Sequence, residues 1–125
     1  MEKFVPNKKE IGDKGEALAV EFLLGRGFRI LETNWKYKHL EIDIIAMDRN
    51  QLVIVEVKTR LNSQFGAPEE FVDLKKQKFL IKAANHYIEQ HNVDAETRFD
   101  IISVIHSGQQ PQISHIPDAF YPTLR

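Results

Sequence analysis

The chain has 125 residues, which suits one domain of ordinary size and is too short for two independent cores, so we expect residues 1–125 to form a single domain. Its 42% hydrophobic and 28% charged residues are typical of a globular protein, and no apolar run approaches the roughly 18 residues that a membrane span needs. The lack of cysteine excludes disulfides and thiolate metal sites and fits a cytoplasmic location, and a net charge of −1 argues against a nucleic-acid binder covered in positive charge.

The first strong pattern is helical and covers about residues 8–25. One stripe at helical spacing holds the apolar and small residues Ile11, Gly15, Leu18, Ala19 and Phe22. Gly27 then provides a C-terminal stop. Because the interior glycines Gly12 and Gly15 weaken a helix, we expect this side of the helix to lie close against another element.

Strand patterns follow at residues 28–37, 40–47 and 52–59. The last two are separated by the polar turn Asp48-Arg-Asn-Gln51, and this short spacing predicts an antiparallel hairpin. Trp35 in the first strand could stack on nucleic-acid bases, as could Tyr37, but packing is the favoured role for both.

The rest of the chain predicts a loop over 61–67, a helix from 68 to about 91, a buried strand over 99–105 and a weaker strand over 112–116. Pro68 with Glu69 and Glu70 has the composition of a helix first turn. Pro117 and Pro122 predict an irregular tail. The order of elements predicts an α/β fold, with a mixed central sheet flanked by helices.

The second helix has two predicted arcs. Its buried arc consists of Phe79, Leu80, Ala83, Ala84, Tyr87 and Ile88. Lys75, Lys78 and Lys82 form another arc, which could grip phosphates but which we expect to be the solvated face. Lys76 and Gln77 fall within the apolar arc, so we expect them to point towards the sheet.

Strand alternation brings acidic side chains together in the hairpin. One face of the second strand holds Glu41, Asp43, Ile45 and Met47, and one face of the third holds Leu52, Ile54, Glu56 and Lys58. A loop with an even number of residues sets Asp43 opposite Glu56 and Glu41 opposite Lys58, whereas a loop with an odd number would mix the two faces. We therefore expect the register that an even-numbered loop gives.

Two carboxylates facing each other across strands repel unless something compensates them. Lys58 lies two residues from Glu56, and a hard divalent cation such as Mg²⁺ would compensate further. The alternative is a solvated face with Glu41 and Lys58 as a surface ion pair. Against it, residues 53–57 are apolar on both faces apart from Glu56, and a carboxylate inside a covered strand needs a partner. Glu16 lies at the border of the apolar stripe of the first helix. Its side chain either adds a third carboxylate to Asp43 and Glu56 or points into water.

Asp43 followed by Glu56-Val57-Lys58, behind a helix that carries Glu16, resembles the signature of the PD-(D/E)XK nucleases, and the order of elements resembles their αβββαβ restriction-endonuclease-like core. Longer blocks are similar to the YraN-like bacterial proteins, relatives of archaeal Holliday-junction resolvases. The blocks are Gly12-Asp-Lys-Gly-Glu16, Leu40-Glu-Ile-Asp-Ile-Ile-Ala46, Val53-Ile-Val-Glu-Val-Lys-Thr-Arg60 and Phe65-Gly-Ala-Pro68. Two positions depart from the pattern: Ile42 replaces the name-giving proline, and Leu40 stands where the relatives usually have glycine.

This resemblance implies a metal-dependent endonuclease for DNA repair or recombination, acting on branched or damaged DNA. Asp43, Glu56 and Glu16 would be metal ligands for Mg²⁺ or Mn²⁺, Lys58 would lie beside the attacking water, and all four would be catalytic. The expected partner is nucleic acid, DNA rather than RNA, with no membrane and with a homodimer left open. Two alternatives stay open: a nuclease-fold module that binds nucleic acid or a partner protein without cutting, and an RNA-processing enzyme.

Overall fold

The computed structural model describes residues 7–61, 72–106 and 110–121. Its elements in chain order are α1 (Lys8–Gly25), β1 (Arg29–Tyr37), β2 (Leu40–Asp48), β3 (Gln51–Arg60), α2 (Leu74–His91), β4 (Glu96–Ile105) and β5 (Gln112–Phe120). The strands form one five-stranded sheet in the order β1-β2-β3-β4-β5. Only the β3–β4 pairing within that sheet is parallel, and it is joined through α2. The predicted α/β fold with a mixed sheet between helices is therefore confirmed.

Helix α1 ends as the sequence predicts. Gly27 adopts a φ of 88°, a left-handed conformation that glycine tolerates without strain. The amides of Arg26 and Phe28 both donate to the Leu23 carbonyl, at 3.0 Å. These bonds satisfy a carbonyl that the end of the helix would leave without a partner.

The first helix lies close against the sheet at Gly15 but not at Gly12. A Cβ built on Gly15 would overlap the side chain of Thr59 on β3, whereas one built on Gly12 would have nothing within 4 Å. The expected close approach is thus confirmed at Gly15 and wrong at Gly12. It fixes the height of α1 above the sheet, one residue before Glu16.

Helix α2 begins later than predicted. Asp73 is extended, and its carboxylate accepts a hydrogen bond from the Lys76 amide at 2.8 Å, which makes it the N-cap of a helix starting at Leu74. The predicted first turn at Pro68 and the loop over 62–67 lie outside the described residues.

The last strand also differs from its prediction. β5 continues through Pro117 to Phe120, beyond the expected end near residue 116. Its pairing with β4 shifts register between Phe99 and Ile101, and Asp118 has a φ of 55°. Because β5 is an edge strand, a proline without an amide hydrogen is tolerated there.

Apolar residues cover both faces of the sheet. On the α2 side the core includes Ile42, Ile45, Leu52, Ile54 and Ile101. On the α1 side it includes Ile44, Val53, Val55, Val57 and Ile102. β3 is therefore covered on both sides, as its apolar sequence predicts. Neither α1 nor α2 is both long and apolar enough to cross a membrane.

Candidate active site

The β2–β3 ladder ends where the acidic residues begin. Pairing runs from Asp48 opposite Gln51 to Ile44 opposite Val55, in the register predicted from the even loop. At the next position the Asp43 carboxylate accepts a hydrogen bond from the Val57 amide at 2.8 Å. The Asp43 side chain thus takes the place of a backbone acceptor. The predicted pairs of Asp43 with Glu56 and Glu41 with Lys58 are not part of the ladder.

The alternation of β2 is interrupted at the same place. Ile42 and Ile45 both belong to the core on the α2 side, and Ile44 belongs to the core on the α1 side. Regular alternation would have put Ile42 and Ile44 on one face. The prediction that Glu41, Asp43, Ile45 and Met47 share a face is therefore wrong. An irregularity at this point in a strand can re-aim one side chain, here that of Asp43.

Glu56 is the buried centre of the site. Its side chain is 7% exposed, and its Oε2 lies 3.5 Å from Nζ of Lys76 on α2. Burial, followed by the charge of Asp43 within hydrogen-bonding reach, raises the pKa of the Glu56 carboxyl to about 8, although Lys76 and Lys58 act in the opposite direction. Two lysines therefore compensate Glu56 only in part.

Glu16 meets Asp43 from the α1 side. Its side chain hydrogen-bonds Asn34 and lies within hydrogen-bonding reach of Asp43. Burial and the Asp43 charge raise the pKa of the Glu16 carboxyl to about 7. A cavity of about 500 Å³ opens here, lined among others by Asp13, Glu16, Asn34 and Asp43. Asp43 is thus the shared neighbour of both glutamates.

Lysine side chains lie on the Glu56 side of this cluster. Lys58 is close enough for its charge to lower the pKa of Glu56. Lys76 points towards the sheet, as predicted, and reaches Glu56. Gln77 instead donates from its Nε2 to the Val72 carbonyl at 3.0 Å, near the start of α2. The structure therefore brings Glu16, Asp43, Glu56 and Lys58 together and leaves Gln77 outside.

Asn34 and Asp13 also line the cavity, although neither was predicted as a site residue. Asn34 adopts a φ of 51°, in the left-handed region where asparagine is enriched. An asparagine inside the otherwise aromatic and β-branched pattern of β1 was the available signal. Asp13 lies in the block Gly12-Asp-Lys-Gly-Glu16 at an exposed position of α1, and that block was the available signal.

The arrangement allows two chemistries. Carboxyl groups this close either share protons or hold a cation between their oxygens. Among the described residues, no group of three or more His, Cys, Asp or Glu side chains could hold a metal ion as it stands. Asp43 and Glu56 as a pair are still a suitable donor set for Mg²⁺, which often binds one or two protein carboxylates and keeps several waters.

Comparison with known proteins places the same residues inside a family. The model of the "Uncharacterised protein family UPF0102" matches residues 15–104, a segment that contains Glu16, Asp43, Glu56 and Lys58. The chain is 50% identical to a UPF0102 protein of Flavobacterium psychrophilum over 112 residues, covering 90% of this chain and 94% of the relative. It is 48% identical to one of Bacteroides thetaiotaomicron over 115 residues, covering 92% and 95%, and 46% identical to one of Geobacter metallireducens over 115 residues, covering 91% and 94%.

Proposed function

The chain belongs to the uncharacterised protein family UPF0102, and from that premise we propose that it is a metal-dependent endonuclease of the PD-(D/E)XK type, which hydrolyses DNA phosphodiester bonds. Branched or damaged DNA in repair or recombination is the proposed substrate, and the cytoplasm the proposed location. The observation that carries the proposal is the buried Glu56 carboxyl within hydrogen-bonding reach of Asp43, with Lys58 beside it.

The proposal is supported by the two negative charges that Glu56 and Asp43 bring close together. A carboxylate buried for stability alone needs hydrogen-bond donors or cations around it. Glu56 has Lys76 at 3.5 Å, on a side chain that is 41% exposed, and has a second acid next to it. This arrangement destabilises the fold when both acids are ionised, so a functional role explains it better than a structural one.

The donors present suit a hard divalent cation. Asp43 and Glu56 offer only oxygen, which Mg²⁺ and Mn²⁺ prefer, and Glu16 adds a third acidic group beside Asp43. When bound, such an ion supplies Lewis-acid charge for the phosphate oxygens and lowers the pKa of a water.

The chain's own residues orient the reactants. The Val57 amide fixes one oxygen of Asp43, and Asn34 holds Glu16 next to it. Lys58 lies at Glu56, where its ammonium group can orient a water and offset the negative charge that develops on the phosphate. Lys76 can contact a neighbouring phosphate, because it is 41% exposed.

A second candidate function is binding of nucleic acid or a partner protein without cleavage. It is favoured by the net charge of −1. This candidate gives the opposed carboxylates no role, so we place it second.

Cleavage assays with matched variants test the proposal. Wild type, Glu56→Ala and Lys58→Ala are incubated in Mn²⁺ with branched, nicked, single-stranded and duplex DNA, and with RNA of the same sequence. We expect wild type to cleave at least one DNA substrate, and each variant to lose at least about 100-fold in rate. Glu41→Ala is the matched control, since Glu41 is an exposed acid on the neighbouring strand β2, and it should cleave like wild type.

Three outcomes are informative. Equal cleavage by wild type and the Glu56 and Lys58 variants would reject the site and reveal a contaminating nuclease. No cleavage by wild type, together with no Mn²⁺ binding that depends on Asp43 in calorimetric titration, would favour the binding module. Cleavage of RNA in preference to DNA would favour an RNA-processing enzyme.

A further inference from the structure

One side of α2 alternates cations with rings. Lys75, Phe79, Lys82 and His86 are spaced by four, three and four residues, so they form one stripe along the helix. Nζ of Lys75 lies 5.9 Å from the centre of the Phe79 ring. Such a stripe pairs groups that attract phosphates with groups on which bases stack.

The end of β1 and the turn that follows it extend this stripe. The Tyr37 ring stacks on His86, with centroids 3.7 Å apart and planes at 21°. His39 meets Phe79 edge-on at 6.2 Å, and Nζ of Lys38 lies 5.4 Å from the Tyr37 ring centre. We call the seven residues together the aromatic–basic surface: Tyr37, Lys38, His39, Lys75, Phe79, Lys82 and His86.

Phe79 is exposed where the sequence predicts it to be buried. Its relative exposure is 38%, and His39 and the three lysines of the surface are exposed as well. The helical pattern assigns both Phe79 and Leu80 to the buried arc, but of these two residues only Leu80 is in the core, with 2% exposure. A phenylalanine ring is therefore left accessible between positive charges.

The charge around the aromatic–basic surface contrasts with the rest of the chain. Residues 35–40 and 74–82 contain six lysines and no acidic residue. The remaining sequence has eleven Lys and Arg and all eighteen Asp and Glu. A polyanion would thus be attracted to this surface and repelled by most of the other charges. The first acid beyond it on α2 is Glu89.

The surface also lies near the proposed site. Lys76, which reaches Glu56 at 3.5 Å, is the residue after Lys75. Phe79 follows three residues later, about 4.5 Å along the helix axis. A strand bound on Phe79 could therefore continue past Lys76 towards Glu56.

We propose that the aromatic–basic surface binds an unpaired, single-stranded segment of the substrate DNA. Bases stack on the Phe79 and His39 rings, and Lys38, Lys75 and Lys82 contact the phosphates. As a statement about substrate choice, this inference rests on the proposed nuclease function. The aromatic–basic surface would favour substrates with a single-stranded portion over continuous duplex, because bases inside a duplex are not available for stacking.

Binding measured without metal tests this inference separately from cleavage. Fluorescence anisotropy in EDTA compares a labelled single-stranded oligonucleotide with a duplex of the same length. We expect Phe79→Leu, which keeps apolar bulk and loses the ring, to weaken single-strand binding about tenfold, as for the loss of one stacked base, and duplex binding less than about twofold. The control Leu74→Ala changes an exposed apolar residue off the stripe and should leave both affinities unchanged.

A second variant reports stacking directly. Phe79→Trp should retain single-strand binding, and its added fluorescence should be quenched by the oligonucleotide. The inference is overturned if wild type does not bind the single strand, if Phe79→Leu loses nothing or loses duplex binding equally, or if it converts a dimer to a monomer, which would make the surface a protein interface. If binding behaves as expected but no DNA is cut, the nuclease proposal fails, whereas single-strand binding by the aromatic–basic surface is supported.

Discussion

Two clusters of buried charge lie on the same sheet and are built in opposite ways. One is the acidic site of Glu16, Asp43 and Glu56, where carboxyl groups meet each other. The other surrounds Asp100 on β4, which is 1% exposed, more deeply buried than Glu56 at 6%. Burial disfavours an ionised carboxylate in both places, so the difference between them must come from the neighbours.

The Asp100 cluster surrounds its carboxylate with donors. Arg98 donates to both oxygens, at 2.9 and 2.8 Å, and the Asp118 amide donates at 2.9 Å. Nε2 of His115 lies 2.7 Å from Oδ2. Burial acts to raise the pKa of Asp100, but hydrogen bonds from His115, Arg98 and Asp118 outweigh it and lower the pKa. Arg98 also donates to Asp48 at 3.0 Å.

The comparison separates a structural acid from a candidate functional one. The hydrogen bonds to Asp100 favour its ionised form, whereas Asp43 beside Glu56 disfavours the ionisation of Glu56 and raises the Glu56 pKa. A protein that needed Glu56 only for stability would have no reason to place Asp43 beside it. The Asp100 cluster therefore stabilises the fold, whereas the acidic site lowers stability, as expected if it serves the proposed function.

The largest expected effect comes from removing one acid from each cluster. Asp100→Asn removes the charge that Arg98 and His115 surround, and should cost about 3 kcal/mol of unfolding free energy, because the largely buried Arg98 guanidinium loses the carboxylate that it binds with two nitrogens and retains only Asp48 as an acidic partner. Asp43→Asn keeps an oxygen for the Val57 amide and removes the repulsion with Glu56, so unfolding free energy should stay the same or rise.

Urea denaturation of the metal-free proteins at neutral pH measures both changes. A similar loss of stability in the two variants would contradict the proposed difference between the two clusters. It would then follow that Asp43 is as structural as Asp100, and the main argument for a functional acidic cluster would be lost.

Much of the fold could be predicted because its signals are local. The hairpin register follows from the length of one turn and from the apolar alternation of Leu52, Ile54, Ile45 and Met47, and the structure has that register. The end of α1 follows from Gly27. The extension of β5 past Pro117 could not be predicted, because it depends on β5 being at the edge of the sheet, which is a property of the whole topology.

The site was predicted in composition but not in geometry. Alternation brings Asp43 and Glu56 to one face, but the structure joins them at a gap in the ladder, where Asp43 bonds the Val57 amide. Such an irregularity depends on the opposite strand, where Asn34 has a positive φ, and alternation along one strand carries no information about it. Phe79 was wrongly predicted to be buried for a related reason. Helical periodicity shows which residues share one side of α2, but tertiary packing decides how much of that side the core covers.

A smaller effect tests how α1 holds Glu16 at the acidic site. Gly15→Ala would place a methyl group inside the Thr59 side chain, so it should cost about 1–3 kcal/mol of unfolding free energy as α1 shifts away from β3. The matched control is Gly12→Ala in the same helix, where nothing lies within 4 Å of the new carbon, and it should stabilise by about 0.5–1 kcal/mol.

Thermal unfolding of both variants measures the difference, and cleavage assays follow its effect on the site. Gly15→Ala should also slow cleavage, since Glu16 moves with the helix, whereas Gly12→Ala should not. Equal stability of the two variants would show that α1 does not depend on close approach at Thr59.

The smallest expected effect is the pH dependence of the Asp100 cluster. Because the pKa of Asp100 in the folded protein lies below its ordinary value of 3.8, the unfolded chain binds its proton first as the pH falls. The stabilisation by Asp100 is therefore complete above about pH 5, decreases as the pH falls below 3.8, and is lost once the pH passes through the folded pKa. The Asp100→Asn variant has no such proton to gain. Its deficit relative to wild type, measured by urea denaturation from pH 6 to pH 2, should be constant near neutrality and shrink in acid. A deficit that stays constant down to pH 2 would mean that the neighbours of Asp100 do not favour its ionised form, and the contrast with Glu56 would then rest on burial alone.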